Sequence, residues 1–295
     1  MISDEGLALL YIDLVFTWGF SVKSPFVSAA QLSILLPPPS TLIGAFSYGL
    51  AKTLRWPECE LSMDSGMVSG ARRAVHLIRS AHLGLKEECA TYPMIWTDIS
   101  RVHALPFLQP PYRKPEERSM WFGIHGFGKV LMPNGRVRLA FVVDSTIAEK
   151  ELGENWQKLL TMAAGSIISI GSKEGLVAVD HVNIESARPE VKRAKTSYYF
   201  PRESVTYCDP KIEELEQAEF WSFDANSFHW FSAKGGRTRP RESYSPSIKQ
   251  FILPILKGSR RPSQVDVKIS SQGVAITTDL EDPWKTVVGN RSWYY

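Results

Sequence analysis

Three consecutive prolines at residues 37–39, followed by Ser40, constrain the fold of this chain more than any other feature of its sequence. Proline cannot sit inside a helix and disfavours helical backbone in the residue before it, so the chain arrives here extended. Serine is a preferred N-cap residue, and a helix that starts at Ser40 has its free N–H groups pointing outward. The predicted helix ends at Pro57, and its apolar stripe comprises Ile43, Phe46, Leu50 and Leu54.

A glycine-flanked loop at residues 171–175 is the second informative segment. Gly171 and Gly175 enclose Ser172 and Lys173 between two apolar runs. Such a loop allows backbone amides and a lysine to approach a phosphate closely. Taken alone, it is equally typical of an ordinary turn, as the proline-serine segment is of an ordinary helix start.

Counted coarsely, the elements that hydrophobic periodicity predicts for the first part of the chain follow the order β-α-β-β-α-β. The predicted elements are a strand at 7–18, the helix from Ser40, a strand at 74–85, a hairpin of 121–132 and 136–144 that turns at Asn134-Gly135, a helix at 150–164, and strands at 166–170 and 176–184. This order is that of the ferredoxin-like fold and of the RNA recognition motif, whose open sheet face stacks bases. The predicted fold class is therefore α+β.

The chain divides into two predicted parts. Residues 1–187 form the ferredoxin-like domain, with a proline- and aromatic-rich insertion at about 88–128. Residues 188–295 form a β-rich C-terminal part. Its predicted strands lie at 197–200, 220–223, 228–232, 265–269 and 274–277.

The charge of the chain is segregated along the sequence. The formal net charge is only +3, but residues 72–143 contain eleven basic and five acidic residues. This segregation favours a surface that binds a polyanion. Solvated faces that only look clustered in the sequence are the alternative.

Metal-free RNA cleavage needs a group that deprotonates a 2′-hydroxyl and a cation that stabilises the phosphate. The candidates in the basic region are His82, His103 and His125, with Tyr112, Lys114 or Lys129. Carboxylates for a two-metal nuclease are limited to Asp13, Asp144 and Asp180, of which Asp13 is the best. Each of these histidines is more often a strand-face or loop residue than a catalyst, and we expect no metal and no cofactor.

Cysteine usage and hydropathy predict a cytoplasmic protein. The three cysteines are far apart and have neither zinc-binding spacing nor the pattern of a disulfide framework. No apolar run reaches transmembrane length, and the N-terminus lacks the pattern of a signal peptide.

The whole chain resembles the RAMP-superfamily subunit of type I CRISPR interference complexes, the fifth Cas family in its archaeal type I-A form. Residues 37–45 and 163–179 carry the resemblance. It implies a non-catalytic subunit that binds the 5′ handle of the CRISPR RNA (crRNA), caps the backbone filament and anchors the large subunit. The implied partners are the crRNA handle, the backbone RAMP subunit, the large PAM-reading subunit, the small subunit and the helicase-nuclease, with indirect contact to target DNA and none to a membrane.

The resemblance also implies that the insertion is a thumb that folds over the guide RNA. The residues expected to contact RNA are Lys23, Ser40, Thr41, Arg72, Arg73, Arg79, Arg101, Tyr112, Arg113, Lys114, Arg118, Gly171, Ser172 and Lys173. The main alternative is a metal-independent CRISPR repeat endoribonuclease with a His/Tyr/Lys site. A protein-interaction scaffold with incidental basic patches is the third.

Overall fold

The computed structural model describes most of the chain. The described residues are 6–24, 30–57, 59–62, 66–88, 91–103, 116, 122–172, 174–190, 192–221, 232–234, 237–239, 248–280 and 284–293. The fold is a strand-rich mixture of α and β. Its helices are α1 (Pro39–Leu54), α2 (Ala71–Leu77), α3 (Ser145–Leu152) and α4 (Trp156–Gly165).

The first ten strands lie in the first predicted part, and the last of them crosses the predicted boundary. They are β1 (Leu7–Phe16), β2 (Gly19–Phe20), β3 (Ala30–Gln31), β4 (Cys59–Ser62), β5 (Gly66–Ser69), β6 (Ile78–Leu85), β7 (Met94–His103), β8 (Phe122–Leu131), β9 (Gly135–Asp144) and β10 (Val177–Glu190). The boundary at 187/188 falls inside β10.

Ten further strands follow. They are β11 (Arg193–Thr196), β12 (Phe200–Pro201), β13 (Val205–Asp209), β14 (Leu215–Trp221), β15 (Ser232–Lys234), β16 (Arg237–Arg239), β17 (Ile248–Leu256), β18 (Val265–Ile269), β19 (Gly273–Thr277) and β20 (Thr286–Asn290).

The main sheet has the strand order β20-β19-β10-β1-β9-β6. Strand β1 lies between β10 and β9, and β9 lies between β1 and β6, each pair antiparallel. One face of β1 contributes Leu10, Ile12 and Leu14 to the core shared with the helices. The opposite face, with Leu7 and Leu9, packs against the C-terminal part.

The C-terminal part therefore covers the face of the sheet opposite the helices. Tyr198, Ile276 and Val287 are fully buried and belong to the same cluster as Leu9 and Val142. Removing the C-terminal part would expose this apolar surface to water, so the two parts stabilise each other.

The predicted N-cap at Ser40 is wrong. Helix α1 begins at Pro39, and Pro38 is its N-cap, with extended backbone and no side-chain cap. The carbonyl of Pro38 accepts hydrogen bonds from the amides of Thr41 at 2.9 Å and Leu42 at 3.2 Å. Proline suits the first helical position because it lacks the N–H that would be unpaired there and its φ is already helical.

The predicted hairpin at Asn134-Gly135 is also wrong. The turn exists: Asn134 has a positive φ of 52°, and the Gly135 amide donates to the Met132 carbonyl at 2.9 Å. The flanking strands diverge, however, because β1 and β6 occupy the two edges of β9. Strand β8 instead pairs along its full length with β7. The described ends of the predicted insertion thus form a ten-residue antiparallel ladder.

Two other predicted elements have different boundaries. Residues 74–77 belong to α2, and only the remainder of the predicted strand at 74–85 forms β6. The predicted helix at 150–164 is two helices, since α3 ends at Leu152 and its C-cap, Gly153, has a φ of 78°. Residues 166–170 form only an isolated bridge, between Ser169 and Leu176.

The predicted C-terminal strands at 265–269 and 274–277 are confirmed as β18 and β19. The predicted strand at 220–223 includes only the end of β14. The predicted strand at 197–200 lies between β11 and β12, except that residue 200 belongs to β12. Of the predicted strand at 228–232, residues 228–231 lie outside the described residues. Strand β17 was missed. It contains Pro254, which is tolerated because the pairing with β14 is irregular there.

A buried ion-pair network joins three strands on the covered face of the sheet. The guanidinium of Arg138 on β9 donates to both carboxylate oxygens of Asp13 on β1, at 2.6 and 2.7 Å. Lys86, which follows β6, donates to Asp13 at 3.2 Å. Burial would raise the pKa of Asp13, but the hydrogen bonds and charges of Arg138 and Lys86 outweigh it and lower that pKa.

Asp13→Asn should destabilise the protein by about 3–5 kcal/mol, because it leaves the cations of Arg138 and Lys86 without their buried carboxylate. Asp180→Asn is the matched control. Asp180 pairs with Arg136 at 3.0 Å, with 43% and 48% of the two side chains exposed, and its loss should cost less than about 1 kcal/mol. Urea unfolding measures both, and equal costs would contradict the network's role.

The packing of α1 on α4 can be tested with two glycines of one helix. A Cβ on Gly49 would lie 2.0 Å from the Ala163 carbonyl oxygen, whereas a Cβ on Gly44 has nothing within 4 Å. Gly49→Ala should therefore lower the free energy of unfolding by about 1–3 kcal/mol. Gly44→Ala should raise it by up to about 1 kcal/mol, because alanine favours the helix. A Gly49→Ala protein as stable as the parent would show that the helices are not packed this closely.

Candidate nucleic-acid interface

The glycine loop packs against the segment that follows β2. Gly171 has a φ of 83°, and a Cβ there would lie 2.8 Å from Cγ2 of Val22. The amide of Ser172 donates to the carbonyl of Ser21 at 3.3 Å. A Cβ on Gly175 would lie 2.1 Å from the Ile170 carbonyl oxygen. Gly175 is thus required by the close approach of two backbone segments, and Gly171 by its positive φ, which other residues rarely adopt.

Residues 21–24 connect the glycine loop to the β7–β8 ladder. The hydroxyl of Ser21 donates to the carbonyl of Gly128 on β8 at 2.7 Å. Lys23 is exposed and forms an isolated bridge with Ser33, whose hydroxyl donates to the Val22 carbonyl at 3.0 Å. The structure therefore brings Lys23, Gly171 and Ser172 together at the side of the ladder.

The start of α1 belongs to the same end of the molecule. The amide of Ile34 donates to the Val22 carbonyl at 3.0 Å, and α1 begins five residues later. Ser40 and Thr41 are half-buried there. Because prolines occupy the first positions and the Thr41 amide donates to Pro38, this helix start has fewer donors for an anion than Ser40 as N-cap would provide.

Arg72, Arg73 and Arg79 lie at the opposite end of the sheet. Arg79 follows Ile78, which pairs with Val143 next to the beginning of β1. The glycine loop adjoins the end of β1, where the Thr17 amide donates to the Leu176 carbonyl. The ten residues of β1 span about 30 Å, so the predicted site is two separate groups of residues.

Two of the three arginines in the second group interact with other side chains of the protein. Two nitrogens of Arg79 donate to Asp144 at 3.2 and 2.6 Å. The guanidinium of Arg73 lies 5.2 Å from the ring centroid of Trp56. The Nε atom of Arg72 is buried without an acceptor among the described residues.

The remaining predicted contacts fall mostly outside the described residues. Arg101 lies on β7 and pairs with Ile124 on β8. The other members of the set lie outside the described residues: Tyr112, Arg113, Lys114, Arg118 and Lys173.

Ion pairs neutralise part of the basic segment that the sequence indicated. Arg79 pairs with Asp144, Arg136 with Asp180, and both Lys86 and Arg138 with Asp13. The three aspartates considered as metal ligands are thus each bound to a cation. Within the described part of the chain, no three His, Cys, Asp or Glu side chains are placed to hold a metal ion.

His82 has no access to solvent. Its Nδ1 lies 3.2 Å from the Tyr199 carbonyl and must donate, so Nε2, at 2.8 Å from Oγ of Ser80, accepts. Burial lowers the pKa of His82 to about 4, and the hydrogen bond to Tyr199 opposes this only in part. His82 therefore cannot reach an RNA hydroxyl. His103 and His125 lie on β7 and β8.

Exposed apolar side chains lie near the glycine loop. Hydrophobic periodicity alone did not predict this concentration. Among the described residues, six of the eight large exposed apolar side chains lie on segments at this end: Leu32, Met94, Ile95, Trp96, Ile168 and Leu176. Trp96 is 54% exposed and pairs with Lys129 on β8. Such a concentration marks an interaction surface.

No helix in the described ranges is long and apolar enough to span a membrane.

Two curated proteins of the archaeon Saccharolobus solfataricus are similar to this chain. CRISPR-associated protein Cas5 3 is 32% identical over 251 residues, which are 85% of this chain and 89% of the relative. CRISPR system aCascade subunit Cas5 1 is 34% identical over the same lengths and shares. A crystal structure of a CRISPR protein from Archaeoglobus fulgidus covers 96% of this chain and 99% of its own, with a TM-score of 0.49 and 17% identity. No protein-family model matches.

The buried state of His82 predicts a pH dependence of stability. Unfolding returns its pKa from about 4 to the ordinary 6.5, so only the unfolded chain takes up this proton as the pH falls below about 6.5. The free energy of unfolding should then fall by about 2 kcal/mol between pH 6.5 and about pH 5.

Urea unfolding at a series of pH values measures this slope. His82→Gln should remove it, whereas His76→Gln, at an exposed position on α2, should retain it. An unchanged slope in His82→Gln would mean that His82 is not buried as a neutral side chain.

Proposed function

The chain belongs to the Cas5 family of CRISPR-associated proteins, and on this premise we propose that it is a non-catalytic subunit of a type I CRISPR interference complex that binds the 5′ handle of the crRNA. One observation carries the proposal. The glycine loop, the segment with Lys23 and the base of the β7–β8 ladder meet at one end of the sheet.

This arrangement suits a single-stranded RNA. Lys23, together with the lysine of the glycine loop, would bind phosphates. The exposed ring of Trp96 would stack on a base at the side of the ladder. In this proposal the ladder is the base of the thumb, and residues beyond it fold over the RNA.

The strand order supports a ferredoxin-like assignment for the first part of the chain. Taking β1, β6, β9 and β10 as the four strands of a β-α-β-β-α-β unit, their order across the sheet is 4-1-3-2, all antiparallel. Unlike an RNA recognition motif, this sheet has its second face covered. The proposed RNA site is therefore at the end of the sheet and not on its face.

The exposed apolar residues around the glycine loop support membership of a multi-subunit complex. A subunit that caps a filament must contact RNA and protein at the same end. We assign this apolar surface to the backbone subunit, with the large PAM-reading subunit as the second protein partner. The small subunit, the helicase-nuclease and target DNA would then be reached through these neighbours.

We also propose that the protein holds RNA without cleaving it. The buried, neutral state of His82 supports this, since it removes one of the three histidines that an endoribonuclease could use. Repeat RNA incubated with the protein in EDTA should remain intact. A specific cut within the repeat would support the endoribonuclease instead.

The handle proposal is tested by charge reversal at the loop. Lys23→Glu/Lys173→Glu should weaken binding of a handle RNA by about tenfold or more and reduce the salt dependence, because two phosphate contacts are lost. Lys158→Glu, on the exposed surface of α4, is the matched control and should bind like the parent. Fluorescence anisotropy with the handle and with a permuted RNA of equal length measures both.

Two results would contradict the proposal. Equal binding of the handle and the permuted RNA would mean that the protein does not recognise the handle. Parent-like affinity of the double variant would mean that phosphates do not bind at the glycine loop.

A further inference from the structure

A small antiparallel sheet in the C-terminal part has one exposed face. Its order is β11-β18-β13. On β18 the residues alternate, with Val265, Val267 and Ile269 buried in a local core and Asp266 and Lys268 exposed. The sheet is thus anchored by one face, while the other is accessible.

One row across this face combines two cations with an aromatic ring. Arg193 on β11 lies opposite Lys268 on β18, and Lys268 lies opposite Tyr207 on β13. All three side chains are exposed. Directly opposed residues on neighbouring strands are close enough to act on one ligand.

Tyr207 is unusual in its position. It is 58% exposed, and among the described residues it is the one large exposed apolar side chain on this small sheet. A register shift between Val205 and Tyr207 interrupts the ladder with β18. Such bulges re-aim side chains and are enriched next to functional sites.

We propose that this row binds single-stranded DNA, with a base stacked on Tyr207 and the flanking phosphates on Lys268 and Arg193. Aromatic stacking together with cations is how proteins hold single strands without reading their sequence. The ring supplies a flat apolar surface, and the two cations supply charge complementary to phosphodiesters.

The neighbouring row limits the direction of the strand. It contains Lys195, Asp266 and Asp209, and Lys195 lies 3.9 Å from Asp266. Because two aspartates and one lysine give this row a net negative charge, the row repels phosphates. The DNA is therefore expected to cross the sheet along the row of Tyr207, toward the exposed Lys192 beside Arg193.

The location separates this surface from the proposed handle site. The glycine loop precedes β10, and Arg193 lies three residues after the end of β10. The fourteen residues of β10 therefore separate the glycine loop from Arg193. That strand is about 45 Å long. A strand bound at Tyr207 is thus a different nucleic-acid segment from the handle. The choice of DNA rests on the proposed function, in which target DNA is the other nucleic acid of the complex, and the proposal goes beyond that function by placing this chain in direct contact with the DNA.

The test is fluorescence anisotropy of a short labelled oligo(dT) with the full chain. Tyr207→Ala should weaken binding about tenfold, whereas Tyr207→Phe should bind within about twofold of the parent because the stacking ring is retained. Lys268→Glu should weaken binding and lower the salt dependence. Lys158→Glu is again the control and should have no effect.

Parent-like binding by Tyr207→Ala and Lys268→Glu would overturn the proposal, as would a preference for oligo(U) over oligo(dT). Photocrosslinking of an iodouracil-substituted DNA gives an independent readout on the parent protein. The adduct should map to the peptide that contains Tyr207, and an adduct confined to other peptides would also overturn the proposal. Handle binding by Tyr207→Ala should stay unchanged, so this surface and the handle site can fail separately.

Discussion

The ion pair between Asp13 and Arg138 is the interaction on which the arrangement of the two parts depends. It lies in the middle of β1 and β9, on a face that would otherwise be open to solvent. The guanidinium of Arg138 also lies 4.8 Å from the ring centroid of Tyr11 and 5.4 Å from that of Trp284, which belongs to the C-terminal part. A buried charge is tolerated only with such partners, so the pair and its cover require each other.

This cover explains why RNA contact is expected at the end of the sheet. Tyr198 is fully buried beneath the C-terminal strands, and its ring meets Trp284 edge-on at 5.3 Å. Bases cannot stack on a face that is already filled by side chains of the same chain. Among the described residues, the loops at the end of β1 bring Lys23 and the exposed ring of Trp96 to the same end of the sheet, beside the glycine loop.

Local pattern was sufficient to predict β1, most of α1 and the strands at 265–269 and 274–277, because their periodicity reflects burial on defined faces. It failed where pairing partners decide the structure. The Asn134-Gly135 turn was predicted correctly, yet no local signal shows that β6 takes the edge of β9 that β8 would need. For the same reason the charge pattern did not reveal that Arg138 neutralises Asp13, 125 residues away in the chain.

The same distinction applies to the candidate sites. The glycine loop was predicted from the sequence because its residue types and spacing are local. That residues 21–24 lie beside this loop is seen only in the structure. The row of Arg193, Lys268 and Tyr207 had no sequence signal, since its members are separated by up to 75 positions and meet through the register of three strands. Strand β10 connects the two surfaces as a continuous element that pairs with β1 over most of its length. Their separation is therefore fixed by the main sheet, and a nucleic acid that reached both would have to bridge about 45 Å.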